Sequence, residues 1–207
     1  MASPKFDAIQ IELSRRLGDP VSAVASDGTW LTAAVRTAYT NKALHKFFSD
    51  MVMAVQGDKM KLAQIFPELL SAPTELTLTS GNYNIDTGSQ NIKDIWRIYN
   101  GYVKTSNYYI RPLDESLYSV MITGINKDYI SSASNPAVIQ VGRILYFFPL
   151  SSSFTPVIIY LKLPLNPTDG SLLTANGTYD SPFGYQWQSQ IASIAQQLFL
   201  IDHQKGN

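Results

Sequence analysis

The sequence predicts an α+β fold: a helical bundle formed by N-terminal helices and a C-terminal helix, interrupted by a β-rich insertion that is an antiparallel meander. Apolar residues recur at helical spacing near both ends of the chain, whereas β-branched and aromatic residues dominate the middle. The C-terminal helix must bury its apolar side, and the N-terminal helices offer the complementary surface. We predict a helical part (1–72), the β-rich insertion (73–164), a long loop (165–184) and the C-terminal helix with a polar tail (185–207).

The N-terminal part is predicted to contain three helices. The first covers most of the segment SPKFDAIQIELSRRLGD and ends at Gly18. The second begins at a cap formed by Ser26 or Asp27, holds Trp30 near its start, and stops at Gly57. The third is shorter and breaks near Pro67, because proline removes a backbone donor and disfavours helix before it.

The middle of the chain is predicted to be mostly sheet. In AVIQVGRILYFF, the glycine of Gly142-Arg143 suits the first central position of a two-residue hairpin turn, so AVIQV is expected to pair with ILYFF. FTPVIIYLKLP then supplies a further strand. Residues 113–124 are the expected exception, because their apolar residues follow helical spacing after a proline.

The last part of the chain reads as a loop followed by a helix. LPLNPTDGSLLTANGTYDSPFGY contains several prolines, glycines and asparagines and shows little periodicity. After it, apolar residues again follow helical spacing, which predicts one C-terminal helix. Its apolar side consists of Trp187, Ile191, Ile194, Ala195, Leu198 and Ile201.

Composition limits the classes of function. Sixteen basic residues balance sixteen acidic ones, so no net field draws the chain to nucleic acid or to an anionic membrane. Zero cysteines exclude disulfides and thiolate chemistry. No apolar run approaches the roughly 20 residues of a membrane span, and the N-terminal segment lacks the apolar core of a signal peptide. We expect a cytosolic product without membrane contact, whose low charge fits a surface largely covered by partners.

The sequence contains one enzyme-like motif. DTGS at residues 86–89 matches the short signature of the aspartic proteases, but that chemistry needs two carboxylates and there is no second copy. We interpret it as a polar turn. His45 and His203 lack neighbours at metal-ligand spacing. Asn176-Gly177-Thr178 matches the pattern of an N-glycosylation acceptor, and we interpret it as a turn. We therefore predict no catalytic residue, no cofactor and no metal site.

Two stretches carry a family resemblance. YIRPLDESLYSV followed by NPAVIQVGRILYFFPLSSSFTPVIIYLKLPLNP resembles the middle of bacteriophage head-to-tail adaptor proteins of the connector, tail tubular or gatekeeper-like type. IQIELSRRLGDP followed by WLTAAVRTAYTNKALHKFF is similar to the opening pair of helices of that family. The order of elements resembles the family over most of the chain, and the residue patterns resemble it over about a quarter of the chain. The resemblance includes no catalytic motif.

The resemblance implies a virion protein made in the host cytoplasm and placed at the head–tail junction. It implies a ring of twelve copies that binds the portal protein and a downstream tail protein, the nozzle or the tail tube. DNA would pass through the lumen only as cargo. Portal contact is expected from a terminal segment, either residues 1–5 or the polar C-terminal tail. The C-terminal candidates are Asp202, His203, Gln204, Lys205, Gly206 and Asn207.

Tyrosines supply further contact candidates, since tyrosine is both a common sheet residue and a common interface residue. The candidates for contact with the next subunit or with the tail are Tyr102, Tyr108, Tyr109, Tyr146 and Tyr160. The alternative function is another phage tail, baseplate or carbohydrate-binding structural subunit that uses exposed aromatic side chains. A hydrolase that depends on Asp86 is the remaining hypothesis.

Overall fold

The computed structural model describes residues 5–78, 84–123, 131–149 and 154–204. The chain forms two compact units. The helical unit comprises Met1–Leu69, Leu163–Asn166 and Gly170–Asn207, and the sheet unit comprises Leu70–Lys162 and Pro167–Asp169.

The helical unit contains four of the five described α-helices. These are α1 (Lys5–Arg16), α2 (Ala33–Ala54), α3 (Lys59–Ile65) and α5 (Gln188–Gln204). Helices α1, α2 and α5 pack against one another. Of the residues described, no helix combines the length and the apolar character that crossing a membrane requires.

Helix α1 is capped from a distant part of the chain. The carboxylate of Asp180 accepts the backbone N–H groups of Lys5 (2.8 Å) and Phe6 (2.7 Å), two donors that have no partner within the helix. Apolar residues on one side of the helix, Phe6, Ile9 and Leu13, are buried. The helix ends before Gly18, whose φ of 76° is a left-handed conformation that suits glycine.

Helix α2 begins later than the sequence predicts. Its N-cap is Thr32, whose hydroxyl oxygen accepts the N–H of Val35 at 3.3 Å, so the predicted cap at Ser26 or Asp27 is wrong. Asp27 still contributes, because its carboxylate accepts the N–H of Ala33 at 2.7 Å from outside the helix. Trp30 therefore lies in the loop before α2 and not inside the helix.

The break near Pro67 is confirmed. Helix α3 ends at Ile65, and a short 3₁₀ turn follows at Pro67–Leu69. Asp58 caps α3 by accepting the N–H groups of Met60 and Lys61.

The described residues of the sheet unit form seven strands. They are β1 (Thr74–Glu75), β2 (Asn84–Asp86), β3 (Ile95–Val103), β4 (Tyr109–Leu113), β5 (Ala137–Val141), β6 (Ile144–Phe148) and β7 (Pro156–Lys162). Their order across the sheet is β1-β7-β3-β4-β5-β6-β2. Neighbours run antiparallel, except that β4 and β5 run parallel.

The predicted fold class is wrong. The described residues fold as an α+β protein with a strand-rich core, a curled, mixed sheet of seven strands accompanied by five helices, and not as a helical bundle interrupted by an antiparallel meander. The parallel pair β4–β5 overturns the meander, because parallel neighbours require a crossover connection. That connection contains the short helix α4 (Tyr118–Thr123), which confirms helix within residues 113–124.

The hairpin formed by β5 and β6 explains the density of apolar residues in AVIQVGRILYFF. The turn at Gly142-Arg143 is confirmed: Val141 pairs with Ile144, and Gly142 has a φ of 57°. Both faces of the hairpin are covered. Val138, Leu145 and Phe147 join the main core of the sheet. On the opposite face a second cluster contains Ala137, Ile139 and Phe148, against which Leu113, Leu117, Tyr118, Met121, Val141 and Tyr146 pack.

Replacing Ile139 with alanine should destabilise the protein by about 3 kcal/mol, because the side chain is fully buried in the second cluster and its removal leaves a cavity. The matched control is Ile144→Ala in the same hairpin, where the side chain is 37% exposed and the cost should stay below about 1 kcal/mol. Urea unfolding of both variants measures the difference. Equal losses would show that the second face of the hairpin is not a core.

Candidate functional site

The C-terminal end of α5 meets α2 and the loop before it in a cluster of aromatic and charged side chains. We call this cluster the α5-end surface. It consists of Trp30, Tyr39, Lys42, Phe199, Asp202 and His203.

Phe199 is the aromatic centre of the α5-end surface. Its ring centroid lies 5.7 Å from that of Trp30 and 5.2 Å from that of Tyr39, the latter in an edge-on arrangement. The His203 ring stacks on Phe199 at 3.9 Å, and His203 Nδ1 lies 2.8 Å from the carbonyl oxygen of Phe199 one turn earlier. Phe199 is 5% exposed whereas Trp30 is 52% exposed. A buried ring therefore supports an accessible one.

Asp202 links the last turn of α5 to α2. Its Oδ2 accepts a hydrogen bond from the Tyr39 hydroxyl at 2.9 Å and lies 3.1 Å from Lys42 Nζ. The Lys42 ammonium also lies 4.5 Å from the centre of the Tyr39 ring. Burial, and then the neighbouring Asp202 carboxylate, raise the pKa of Tyr39 above its usual value. The positive and negative charges of this surface are thus paired within it.

The loop before α2 is tied down around Trp30. The buried carboxylate of Asp19 accepts three successive backbone N–H groups, those of Thr29 (2.8 Å), Trp30 (3.0 Å) and Leu31 (2.8 Å). These bonds, that of Trp30 first, hold the pKa of Asp19 below its usual value. From the other side, the fully buried guanidinium of Arg36 donates to the carbonyl oxygens of Leu31 (2.7 Å), Val24 (2.9 Å) and Ser26.

The predicted portal-contact residues divide into two groups. Asp202, His203 and Gln204 form the exposed last turn of α5, so this part of the predicted polar tail is helical. Lys205, Gly206 and Asn207 lie outside the described residues. Sequence reasoning missed Trp30, Tyr39, Lys42 and Phe199 as members of this site. The three-residue spacing of Tyr39 and Lys42 indicates a shared helix side, but no local pattern connects them to α5.

The predicted interface tyrosines lie in different environments. Tyr108 and Tyr109, which we call the hairpin tyrosines, lie where the connection from β3 enters β4 and are 46% and 55% exposed. Tyr102 is partly buried and pairs with Tyr109 across the two strands. Tyr146 is partly buried, and its ring centroid lies 4.5 Å from that of Tyr118. Tyr160 is buried in the main core and donates a hydrogen bond to Asp94 at 3.1 Å, so its side chain is not at the surface.

The remaining motif residues lie in ordinary secondary structure. The exposed Asp86 caps a 3₁₀ turn at Thr87–Gln90 by accepting the N–H of Gly88 at 2.8 Å. Burial lowers the pKa of His45, which lies in the middle of α2. Within the described part of the chain, no three side chains of the metal-ligating types come together.

No protein-family model matches the chain. The curated proteins give no match either. Among the described residues, the α5-end surface and the hairpin tyrosines each combine an exposed aromatic side chain with contact residues that the sequence predicts.

The stability that Asp19 contributes should depend on pH. Because its folded-state pKa lies below the unfolded value of about 3.9, its contribution is present above pH about 4 and is lost as the pH falls through the folded-state pKa. Urea unfolding at several pH values between about 6 and 3 compares the natural chain with Asp19→Asn. The stability difference should shrink as the pH falls. A difference independent of pH would show that the charge of Asp19 does not stabilise the loop.

Proposed function

We propose that the chain is a virion structural protein, a head-to-tail adaptor that forms a ring of twelve copies between the portal protein and the tail. The α5-end surface contacts the portal, the hairpin tyrosines contact the downstream tail protein, and DNA passes through the ring as cargo. The proposal combines the sequence resemblance with two accessible aromatic surfaces, and the single observation that carries it is the α5-end surface.

The exposure and the chemical character of the side chains at the α5-end surface are typical of a protein contact surface. Apolar side chains are exposed at this end of the helical unit, with Trp30 at 52%, Leu200 at 43% and Ile201 at 47%. The same end of the helical unit carries polar groups that are already hydrogen-bonded or paired, namely Asp202 and Lys42. An aromatic centre with a satisfied polar rim is typical of protein interfaces. It supports contact with a protein partner at the end of the chain.

An adaptor that joins two different partners needs a separate contact surface for each of them. The hairpin tyrosines supply a second accessible surface, and it belongs to the sheet unit. In the part of the chain that the structure describes, the edge strands β1 and β2 have two and three residues, which disfavours contact through these parts of the sheet edges. Such short edges offer few unpaired backbone groups to a neighbouring strand. We therefore propose that side chains, rather than strand addition, make the contacts.

The charge pattern supports passage of DNA without tight binding. Several exposed cations are already paired with carboxylates, which reduces the gain from displacing counterions on a phosphate backbone. The pairs are Arg15 with Glu12, Lys42 with Asp202, Lys46 with Asp50, Lys61 with Asp58 and Lys104 with Glu75.

Assembly with the portal tests the proposal. The purified chain is mixed with the portal protein encoded in the same genome, and mass photometry and sedimentation velocity are recorded for each protein alone and for the mixture. We expect a portal-dependent complex that contains twelve copies of the chain. If the chain does not bind the portal and forms a trimer or hexamer by itself, the proposal is contradicted. That result would favour the tail, baseplate or carbohydrate-binding alternative.

The two surfaces should be separable by mutation. The double variant Tyr108→Ala with Tyr109→Ala should retain portal association but bind the downstream tail protein at least about 10-fold more weakly, because two exposed aromatic contacts are removed. Tyr185→Ala is the control, since Tyr185 is equally exposed at 55% but lies in the helical unit. Pull-down titrations against both partners measure the effect. Loss of portal association in the double variant would show that the assignment of the two surfaces is wrong.

A further inference from the structure

Trp30 combines two properties that seldom occur together in a loop. Its side chain is half exposed, yet the main chain around it is fixed. Loops at a protein surface are usually its most mobile parts. An exposed tryptophan on a fixed main chain therefore needs a physical explanation.

Asp19 supplies the first part of the restraint. Its Oδ1 accepts the N–H of Thr29, and its Oδ2 accepts those of Trp30 and Leu31, so both oxygens are used. The carboxylate also lies directly against Gly28: a Cβ atom at this glycine would stand 2.2 Å from Asp19 Oδ2. Only glycine leaves room for the carboxylate there. Residues 28–31 are thus fitted around one charged group.

Arg36 supplies the second part. Its guanidinium contacts the carbonyl oxygens of Leu31, directly after Trp30, and of Val24 and Ser26 earlier in the loop. Since Arg36 belongs to α2, these bonds attach the loop to a helix. Trp30 therefore stands between main-chain segments that are held by a buried anion and a buried cation.

This restraint has a consequence for binding. Ordering a loop when a partner arrives costs free energy, and a loop that is already ordered avoids this cost. Tryptophan is among the residues that contribute most at the centres of interfaces. Because Trp30 contacts Phe199, it is continuous with the α5-end surface, where Lys42 and Asp202 already neutralise each other. The matching surface should accordingly be apolar and uncharged.

We propose that Trp30 is the anchor residue of the portal contact, inserting into an apolar, uncharged pocket of the portal, and that Asp19 is a positioning residue that fixes it beforehand. This inference rests on the proposed function, because it takes the portal as the partner.

Binding to the purified portal protein tests the anchor. Trp30→Ala should weaken the affinity about 30-fold, the loss expected for a central aromatic contact. Asp19→Asn should weaken it about 5-fold, because an amide group presents a donor to the N–H groups that the carboxylate accepts. In the Trp30→Ala background, Asp19→Asn should have no further effect. Asp58→Asn, the same change at the cap of α3, is the matched control and should leave the affinity unchanged.

The salt dependence of binding tests the chemistry of the partner. For an uncharged pocket, the affinity of the natural chain should change less than about 3-fold between about 0.1 and 0.5 M NaCl. A steep loss of affinity with salt would show that charged groups make the contact, and the proposed pocket chemistry would be wrong.

Fluorine NMR of protein labelled with 5-fluorotryptophan tests the positioning role without requiring the Asp19 variant to fold. In the free natural chain, the Trp30 resonance, assigned with Trp30→Phe, should relax like that of Trp187, which is held in the aromatic core. A mobile Trp30 overturns the positioning role. In the folded Asp19→Asn variant, the relaxation of the Trp30 resonance should change, and that of the other tryptophan resonances should not.

The outcomes separate this inference from the proposed function. If the natural chain does not bind the portal, the proposed function fails and the anchor fails with it. If the natural chain binds and Trp30→Ala binds equally well, only the anchor is wrong. If Asp19→Asn weakens binding as much without Trp30 as with it, Asp19 acts elsewhere and is not a positioning residue for Trp30.

Discussion

The buried charge of Arg36 determines the shape of one end of the helical unit. A guanidinium without solvent must find hydrogen-bond acceptors, and here the main-chain carbonyls of Val24, Ser26 and Leu31 provide them. Burial lowers the pKa of Arg36, while the negative charges of Asp27 and Asp19 act in the opposite direction. If the loop moved away, the buried guanidinium would lose its three carbonyl acceptors. The conformation of the loop, and with it the direction of Trp30, follows from this constraint.

Helix α5 meets that loop because both of its ends are fixed. At its start, Glu68 Oε1 accepts hydrogen bonds from Gly184 N, Gln186 Nε2 and Trp187 Nε1, the last at 2.9 Å. The Trp187 ring also packs with Phe47 and Phe66 in the core of the unit, and both of these rings pack with Phe183. At its end, Asp202 bonds to α2. The α5-end surface is thus a rigid part of the unit, which is what a docking surface requires.

Local patterns predicted the elements that local forces determine. Helical spacing located α1 and α5, Pro67 marked the end of α3, and the glycine of Gly142-Arg143 located the β5–β6 turn. Contacts between distant residues were not predictable. The cap of α1 comes from Asp180, and the parallel pairing of β4 with β5 depends on a crossover. The α5-end surface joins residues that are about 160 positions apart, so no local pattern contains it.

Electron cryomicroscopy of the portal complex tests the central claim most directly, because it shows both the symmetry and the surface that faces the portal. The account predicts twelve copies in a ring, with Phe199 and Asp202 at the portal side and the Trp30 ring enclosed by portal side chains. A complex in which the α5-end surface remains open to solvent, or in which another surface of the chain meets the portal, would contradict it.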